Sequence, residues 1–212
     1  MAGSGRGTLF VISAPSGTGK STLARTLLET VPDLKFSVSY TTRPRRAGEE
    51  NGREYEFVDD DRFDAMVAAN GFLEWAHVFD HKYGTGRAAT EATLDAGTNL
   101  LLDIDVQGAS QVRASGLDAV SVFILPPDYR TLADRLARRG SEDPQTLARR
   151  LHEARRETME YDRFDYVVVN ADLEVASRDL GAIVKAELAR TARCRERVKS
   201  ILATFPAPRD GA

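Results

Sequence analysis

Cysteine is nearly absent from this chain. Cys194 is the one thiol in 212 residues, so no internal disulfide can form and a thiolate metal cluster is excluded. That fits a reducing compartment. Long apolar runs are missing too. Residues 9–13 make a run far too short for a signal segment or a membrane span, and the Gly- and Ser-rich residues 1–8 have no long apolar stretch behind them. The expectation is a cytoplasmic protein with no membrane partner. Charge excess is lacking as well: 29 basic against 32 acidic residues leave a net charge of −3. The chain as a whole is not a polyanion binder, and no nucleic-acid partner is expected. Any anionic ligand must be held by locally clustered Arg and Lys. The three histidines, His77, His81 and His152, show no metal-ligand spacing. No repeat or low-complexity segment is present. What remains, 42% hydrophobic and 29% charged, suffices for one well-buried core with small appended lobes.

Apolar runs locate the core. Leu9-Phe10-Val11-Ile12 reads as a buried strand, residues 14–19 as a loop of small residues, and residues 21–30 as a helix carrying Leu23, Leu27 and Leu28. Further buried strands are predicted at residues 99–105, 119–125 and 165–169, with helical segments between them. Such alternation means an α/β fold, a parallel sheet with helices on both faces, which takes ligands beyond the carboxyl ends of its strands. Residues 36–97 differ. Short strands at 36–40, 55–58 and 72–78, polar turns and a helix near 60–69 predict a small mixed lobe inserted into the main domain. The C-terminal stretch reads as a basic amphipathic helix followed by a Pro-rich end.

The first chemical motif is Ala14-Pro15-Ser16-Gly17-Thr18-Gly19-Lys20-Ser21. It matches the phosphate-loop pattern G-x-x-x-x-G-K-[ST] except that Ala14 replaces the first glycine, and it stands in the required place between strand and helix. Small residues let backbone N–H groups point at phosphate oxygens, and the helix N-terminus adds its dipole. Lys20 reaches for the outer phosphates and Ser21 for Mg²⁺. The motif specifies a nucleoside triphosphate but does not separate kinase from GTPase or ATPase.

The second motif separates them. Arg43, Arg45 and Arg46 crowd four positions after a strand end, followed by Arg53 and Tyr55, then Glu74 in an apolar strand, Tyr83-Gly84-Thr85, and Asp103-Ile104-Asp105. Guanidinium forks match phosphate oxygens. Alternation along the predicted strand puts Asp103 and Asp105 on one side of its carboxyl end. A carboxylate accepts in parallel from guanine N1–H and its 2-amino group, a donor pair that adenine lacks. An arginine cluster with buried carboxylates therefore suits guanosine monophosphate.

Together, Ser-Gly-Thr-Gly-Lys-Ser, Ser-x-x-Thr-Thr-Arg-x-x-Arg, Gly-Glu-x-x-Gly-x-x-Tyr, Phe-Leu-Glu, Tyr-Gly-Thr and Leu-Asp-Ile-Asp-x-Gln-Gly resemble guanylate kinase over residues 7–188. The resemblance implies an ATP:GMP phosphotransferase using Mg²⁺, with ATP and GMP as small-molecule partners and monomer or homo-oligomer left open. It implies a P-loop NTPase-type core at 7–38, 98–131 and 158–190, a GMP-binding lobe at 39–97, a helical lid at 132–157, and a C-terminal helix and tail at 191–212. ATP would lie on Ala14, Pro15, Ser16, Gly17, Thr18, Gly19, Lys20, Ser21 and Thr22, with Asn170 near the adenine. Arg43, Arg46, Tyr55 and Tyr83 would hold the GMP phosphate. Glu74, Ser39, Thr85 and Asp105 would contact the base. Ser21 and Asp103 would hold the metal, Asp103 directly or through water. Lys20 and the lid residues Arg135, Arg139 and Arg150 would act on the transferring phosphoryl group. The proline of Arg43-Pro44-Arg45-Arg46 is shifted by one place, which leaves Arg45 and Arg46 both open as second clamp; spacing to Gly48 favours Arg46.

In the lid, Arg135, Arg138 and Arg139 share a helix face at i, i+3 and i+4. Gly140 ends that helix, and Asp143-Pro144 reads as the start of the next. The attacking phosphate is already anionic, so catalysis needs positioning and charge neutralisation rather than a strong base. A non-catalytic binding module would lack Lys20 or the lid arginines. A GTPase would show one nucleotide-sized charge site rather than two.

Overall fold

The computed structural model describes residues 5–78, 80–139 and 144–206; the Arg139 side chain lies outside this description. In chain order its elements are β1 (Leu9–Ser13), α1 (Lys20–Thr30), β2 (Leu34–Phe36), β3 (Ser39–Thr41), β4 (Tyr55–Phe57), α2 (Asp60–Ala68), β5 (Phe72–Val78), β6 (His81–Gly86), α3 (Arg87–Asp95) and β7 (Asn99–Asp103). There follow α4 (Val106–Ala114), β8 (Ala119–Leu125), α5 (Tyr129–Arg139), α6 (Pro144–Thr158), β9 (Tyr166–Val169), α7 (Leu173–Leu188) and α8 (Thr191–Leu202).

β1 is buried along its whole length because it lies at the centre of a five-stranded parallel sheet, β2-β7-β1-β8-β9. Its side chains alternate between two cores. Phe10 and Ile12 join Leu23 and Leu27 of α1 and Leu180 and Val184 of α7 on one face. Leu9 and Val11 join Leu94 of α3 and Ala109 and Val112 of α4 on the other. Each fully buried aliphatic or aromatic side chain contributes about 1.5–3 kcal/mol of transfer free energy. The expected two-faced α/β core is therefore present.

A second, four-stranded sheet, β4-β3-β6-β5, forms the inserted lobe. The single strand expected at residues 36–40 is two strands in different sheets: β2 edges the core and β3 belongs to the lobe. Three residues per strand are too few for a readable period, and the break at Ser37-Val38 is where the chain leaves the core. A third cluster, Leu132, Leu136 and Ala154 with Leu147 and Leu151, joins α5 to α6 as a helical pair. Gly140 and Asp143 lie outside the described residues. Asp side chains cap α2, α4, α5 and α7 by accepting from Arg62, Gly108, Thr131 and Val175 N–H groups; each such cap stabilises by about 1 kcal/mol. No helix among the described residues is long and apolar enough to cross a membrane.

Candidate active site

The loop after β1 is shaped by where glycine is needed. Gly17 and Gly19 sit at φ 90° and 92°, the left-handed region that a side chain strains. Ala14 does not: Asn70 is the non-glycine residue with positive φ among those described, and Ala14 is buried against the core. That is why alanine stands at the first position of the motif without distorting it. Thr18 is buried, its hydroxyl donating to the Pro15 carbonyl at 2.9 Å, while Ser16 stands exposed at the tip. Unlike the Asp-capped helices α2, α4, α5 and α7, α1 begins on Gly19 with no side-chain cap and no acidic residue in its first turn. Its first N–H groups stay available to an anion at the positive end of the helix dipole.

Lys20, the first residue of α1, turns toward β7. Its ammonium donates to the Ile104 carbonyl at 2.6 Å and pairs with Asp103 Oδ1 at 2.6 Å. Asp103 lies opposite Ile12 at the end of the central strand, which aims its carboxylate at the loop. Ser21 is exposed on the next position of α1, and Thr22 follows, half-buried. A hydroxyl and a carboxylate are hard oxygen donors that fit Mg²⁺, which takes one or two protein oxygens beside phosphates and water. The described residues hold no group of three or more His, Cys, Asp or Glu able to cage a metal alone.

Asp105 is placed differently from the alternation argument. β7 ends at Asp103, and Asp105 caps α4 by accepting from Gly108 N–H at 2.7 Å. A local Asp cap outcompetes strand extension at this point. Both carboxylates nonetheless lie beside Gly108, Glu74 Oε2 at 3.0 Å and Asp105 Oδ1 at 3.4 Å from where its Cβ would stand.

Glu74 is the buried carboxylate of the lobe, 7% exposed. β5 and β6 carry it opposite Thr85, whose hydroxyl donates to Glu74 Oε1 at 2.6 Å. Burial pushes the Glu74 carboxyl up from its ordinary value; the Thr85 hydroxyl opposes this and the charge of Asp105 reinforces it. Nearby, Arg43 pairs with Glu49 at 2.7 Å and lies 5.4 Å over the Tyr55 ring, which meets Tyr83 edge-on at 5.8 Å. Ser39 is in register with Tyr55 across β3 and β4. Arg46 and Arg45 are both exposed, but the charge of Arg46 acts on Tyr55 and on Glu49. Arg43, Tyr55 and Tyr83 thus form one basic, aromatic corner, and Glu49 ties the turn to it by accepting from Arg43 and from Arg46 N–H at 2.8 Å.

The helical pair docks onto the loop. A Cβ at Gly17 would come within 2.7 Å of Leu136, and one at Gly19 within 2.6 Å of Asn170 Nδ2. Arg150 donates to Ser16 Oγ at 2.9 Å. Arg135 donates to the carbonyls of Thr18 (3.4 Å) and Asn170 (3.0 Å), and Asn170 donates to the Thr18 carbonyl at 2.7 Å. Between them lies a cavity of about 330 Å³ lined by Gly17, Gly19, Thr22, Arg135, Arg138, Asn170 and Leu173. Arg139 ends α5, with its side chain outside the described residues. Sequence reasoning missed Glu157, a half-buried carboxylate of α6 whose pKa burial raises, with the Ser16 backbone opposing. It also missed Glu49 as the partner of Arg43. Neither carries a motif of its own beyond the glutamate after Gly48.

A phosphate loop beside a cavity at the carboxyl end of a parallel sheet, with an inserted lobe that carries arginines, tyrosines and a buried carboxylate, has the layout of a P-loop nucleotide-binding enzyme. Residues 6–187 match the guanylate kinase family. The chain is 51% identical over 183 residues to a guanylate kinase of Rhodopseudomonas palustris (strain BisB5), covering 86% of this chain and 84% of that protein. It is 46% identical over 200 residues to a guanylate kinase of Chromohalobacter salexigens, covering 94% and 93%. The crystal structure of guanylate kinase from Anaplasma phagocytophilum superposes with a TM-score of 0.68 at 34% identity, covering 95% of this chain and 98% of that one. The chain belongs to the guanylate kinase family, whose members are nucleoside monophosphate kinases.

Proposed function

We propose that this enzyme transfers the γ-phosphoryl group of ATP directly to a phosphate oxygen of GMP, giving ADP and GDP. The observation that carries the acceptor is Glu74: a buried carboxylate, held by Thr85 and in electrostatic range of Lys20. Guanine satisfies it with two N–H donors, and a mismatched base leaves it unpaired at a steep cost. Ser39, Thr85 and Asp105 complete the base pocket. Arg43, Arg46, Tyr55 and Tyr83 hold the GMP phosphate.

On the donor side, residues 14–22 cradle the ATP phosphates through backbone N–H groups, and Asn170 borders the adenine cavity. Lys20 moves from Asp103 to the outer phosphates. Arg135, Arg139 and Arg150 bring positive charge to the phosphoryl group in transit, and the helical pair over the loop excludes water. Ser21 and Asp103 would hold Mg²⁺, Asp103 directly or through water; when bound, the ion neutralises charge on the phosphates. The attacking oxygen belongs to an anionic phosphate, so no side chain has to remove a proton from it. Residues 39–97 serve as the acceptor lobe and 132–157 as the lid.

The test is product identity from γ-labelled ATP with GMP and Mg²⁺. Label is expected in GDP. Label recovered only as inorganic phosphate would mean a hydrolase and overturn the proposal.

A further inference from the structure

β5 is the outer strand of the lobe sheet, paired to β6 on one side. On its other side the backbone of Trp75 meets a side chain instead of a strand. Trp75 N–H donates to Gln111 Oε1 at 3.0 Å, and Gln111 Nε2 donates to the Trp75 carbonyl at 2.9 Å. A carboxamide presents a donor and an acceptor side by side in one plane, so it can occupy both backbone groups of one residue as a neighbouring strand would. Gln111 lies on α4, and α4 is fixed to the core: Ala109 and Val112 sit in one buried cluster with Leu9 and Val11 of β1 and Leu73 of β5. One helical step back, at i−3, is Gly108. A Cβ there would stand 3.0 Å from Glu74 Oε2 and 3.4 Å from Asp105 Oδ1.

Three successive residues of β5 are thus located by the core. Leu73 is buried in it, Glu74 lies over Gly108, and Trp75 is bonded at both backbone groups. Two bonds to one residue fix the strand's rotation about its axis as well as its distance. Rotation at Trp75 swings the neighbouring Glu74 carboxylate. We propose that Gln111, helped by the bare backbone of Gly108, is a positioning residue for guanine selectivity: it holds the edge strand so that Glu74 meets the base. The inference rests on the reading that Glu74 recognises guanine. It predicts that losing the Trp75 bonds damages discrimination at the 2-amino group more than it damages ATP binding.

The experiment compares Gln111→Met, Gln111→Glu and Glu74→Gln in the full chain. Each is assayed for kcat/KM with GMP and with IMP (the same base without the 2-amino group), for ATP KM, and for thermal unfolding. Methionine keeps the length and loses both bonds. Glutamate keeps the acceptor for Trp75 N–H. Gln111→Met should lower kcat/KM for GMP roughly tenfold or more, narrow the GMP/IMP ratio, and leave ATP KM within about twofold. Gln111→Glu should fall between it and wild type. A lower melting temperature with an unchanged GMP/IMP ratio would reduce Gln111 to a structural residue and overturn the inference. If the methionine variant does not fold, the ratio in the glutamate variant decides in the same way. A collapsed ratio in Glu74→Gln with an intact one in the Gln111 variants sinks this inference alone. An intact ratio in Glu74→Gln sinks the underlying reading of Glu74.

Discussion

Glu74 is built against its own stability. Accepting from two guanine donors requires an ionised carboxylate, yet burial favours the protonated form. The kcat/KM for GMP should therefore fall, as pH is lowered, through a pKa above the ordinary carboxylate range, and Glu74→Gln should lose that limb; an identical profile in the variant contradicts the assignment. The linkage sign follows from the raised folded pKa. This group's contribution to stability is fully present below the unfolded pKa and is lost as pH rises through the folded value. At neutral pH the ionised carboxylate thus costs stability, so Glu74→Gln should melt higher than wild type while binding GMP worse. Lys20 poses the opposite case. Lys20→Met removes the charge proposed to meet the phosphates and takes away the ion-pair partner of Asp103. It should lower kcat at least roughly a hundredfold and also lower the melting temperature. Near-normal turnover would refute the phosphate role.

At the scale of elements, the contrast between capped and uncapped helices is informative. α2, α4, α5 and α7 are closed by Asp side chains, whereas α1 leaves its first N–H groups uncapped by any side chain, as the proposed phosphate site requires. The glycines beside it serve two masters, backbone angle and close approach. Gly17→Ala combines a φ of 90° with a Cβ 2.7 Å from Leu136, whereas Gly116→Ala has a φ of 75° and nothing within 4 Å. Gly116→Ala should cost about 1–2 kcal/mol of backbone strain. Gly17→Ala should cost more in denaturant melts and weaken ATP, because the loop and α5 must part. Equal losses would mean that the contact with Leu136 is slack.

Much of this was legible as sequence. β1, β8 and the phosphate loop announce themselves through apolar runs and small residues, and the arginine-tyrosine corner through its spacing. What stayed hidden lacks a pattern. β6 contains His81, Lys82, Gly84 and Gly86 and is a strand because β3 and β5 flank it. Asp105 follows an apolar strand pattern without a break, and its role as a cap depends on where β7 stops, which the pattern does not mark. Gln111 and the Ile104 carbonyl act through an amide and a backbone oxygen, which no motif marks.

Across the whole molecule, the lobe carrying Glu74 and the corner around Arg43 rests on the parallel core through α4, and the helical pair docks on the phosphate loop through Leu136 and Arg150. Arg135 links the helical pair to the core through the carbonyls of Thr18 and Asn170. Arg135→Ala should lower kcat, disturb ATP rather than GMP, and leave GMP KM nearly unchanged; a loss confined to GMP binding would move Arg135 to the acceptor side. The division of labour itself is tested most directly by ADP release from ATP and Mg²⁺ with GMP, AMP, CMP, UMP and dTMP as separate acceptors, run beside Lys20→Met. Fast turnover with GMP alone, lost in the variant, is the predicted result. Turnover with another monophosphate in preference to GMP, or none with any acceptor in folded protein, would contradict it.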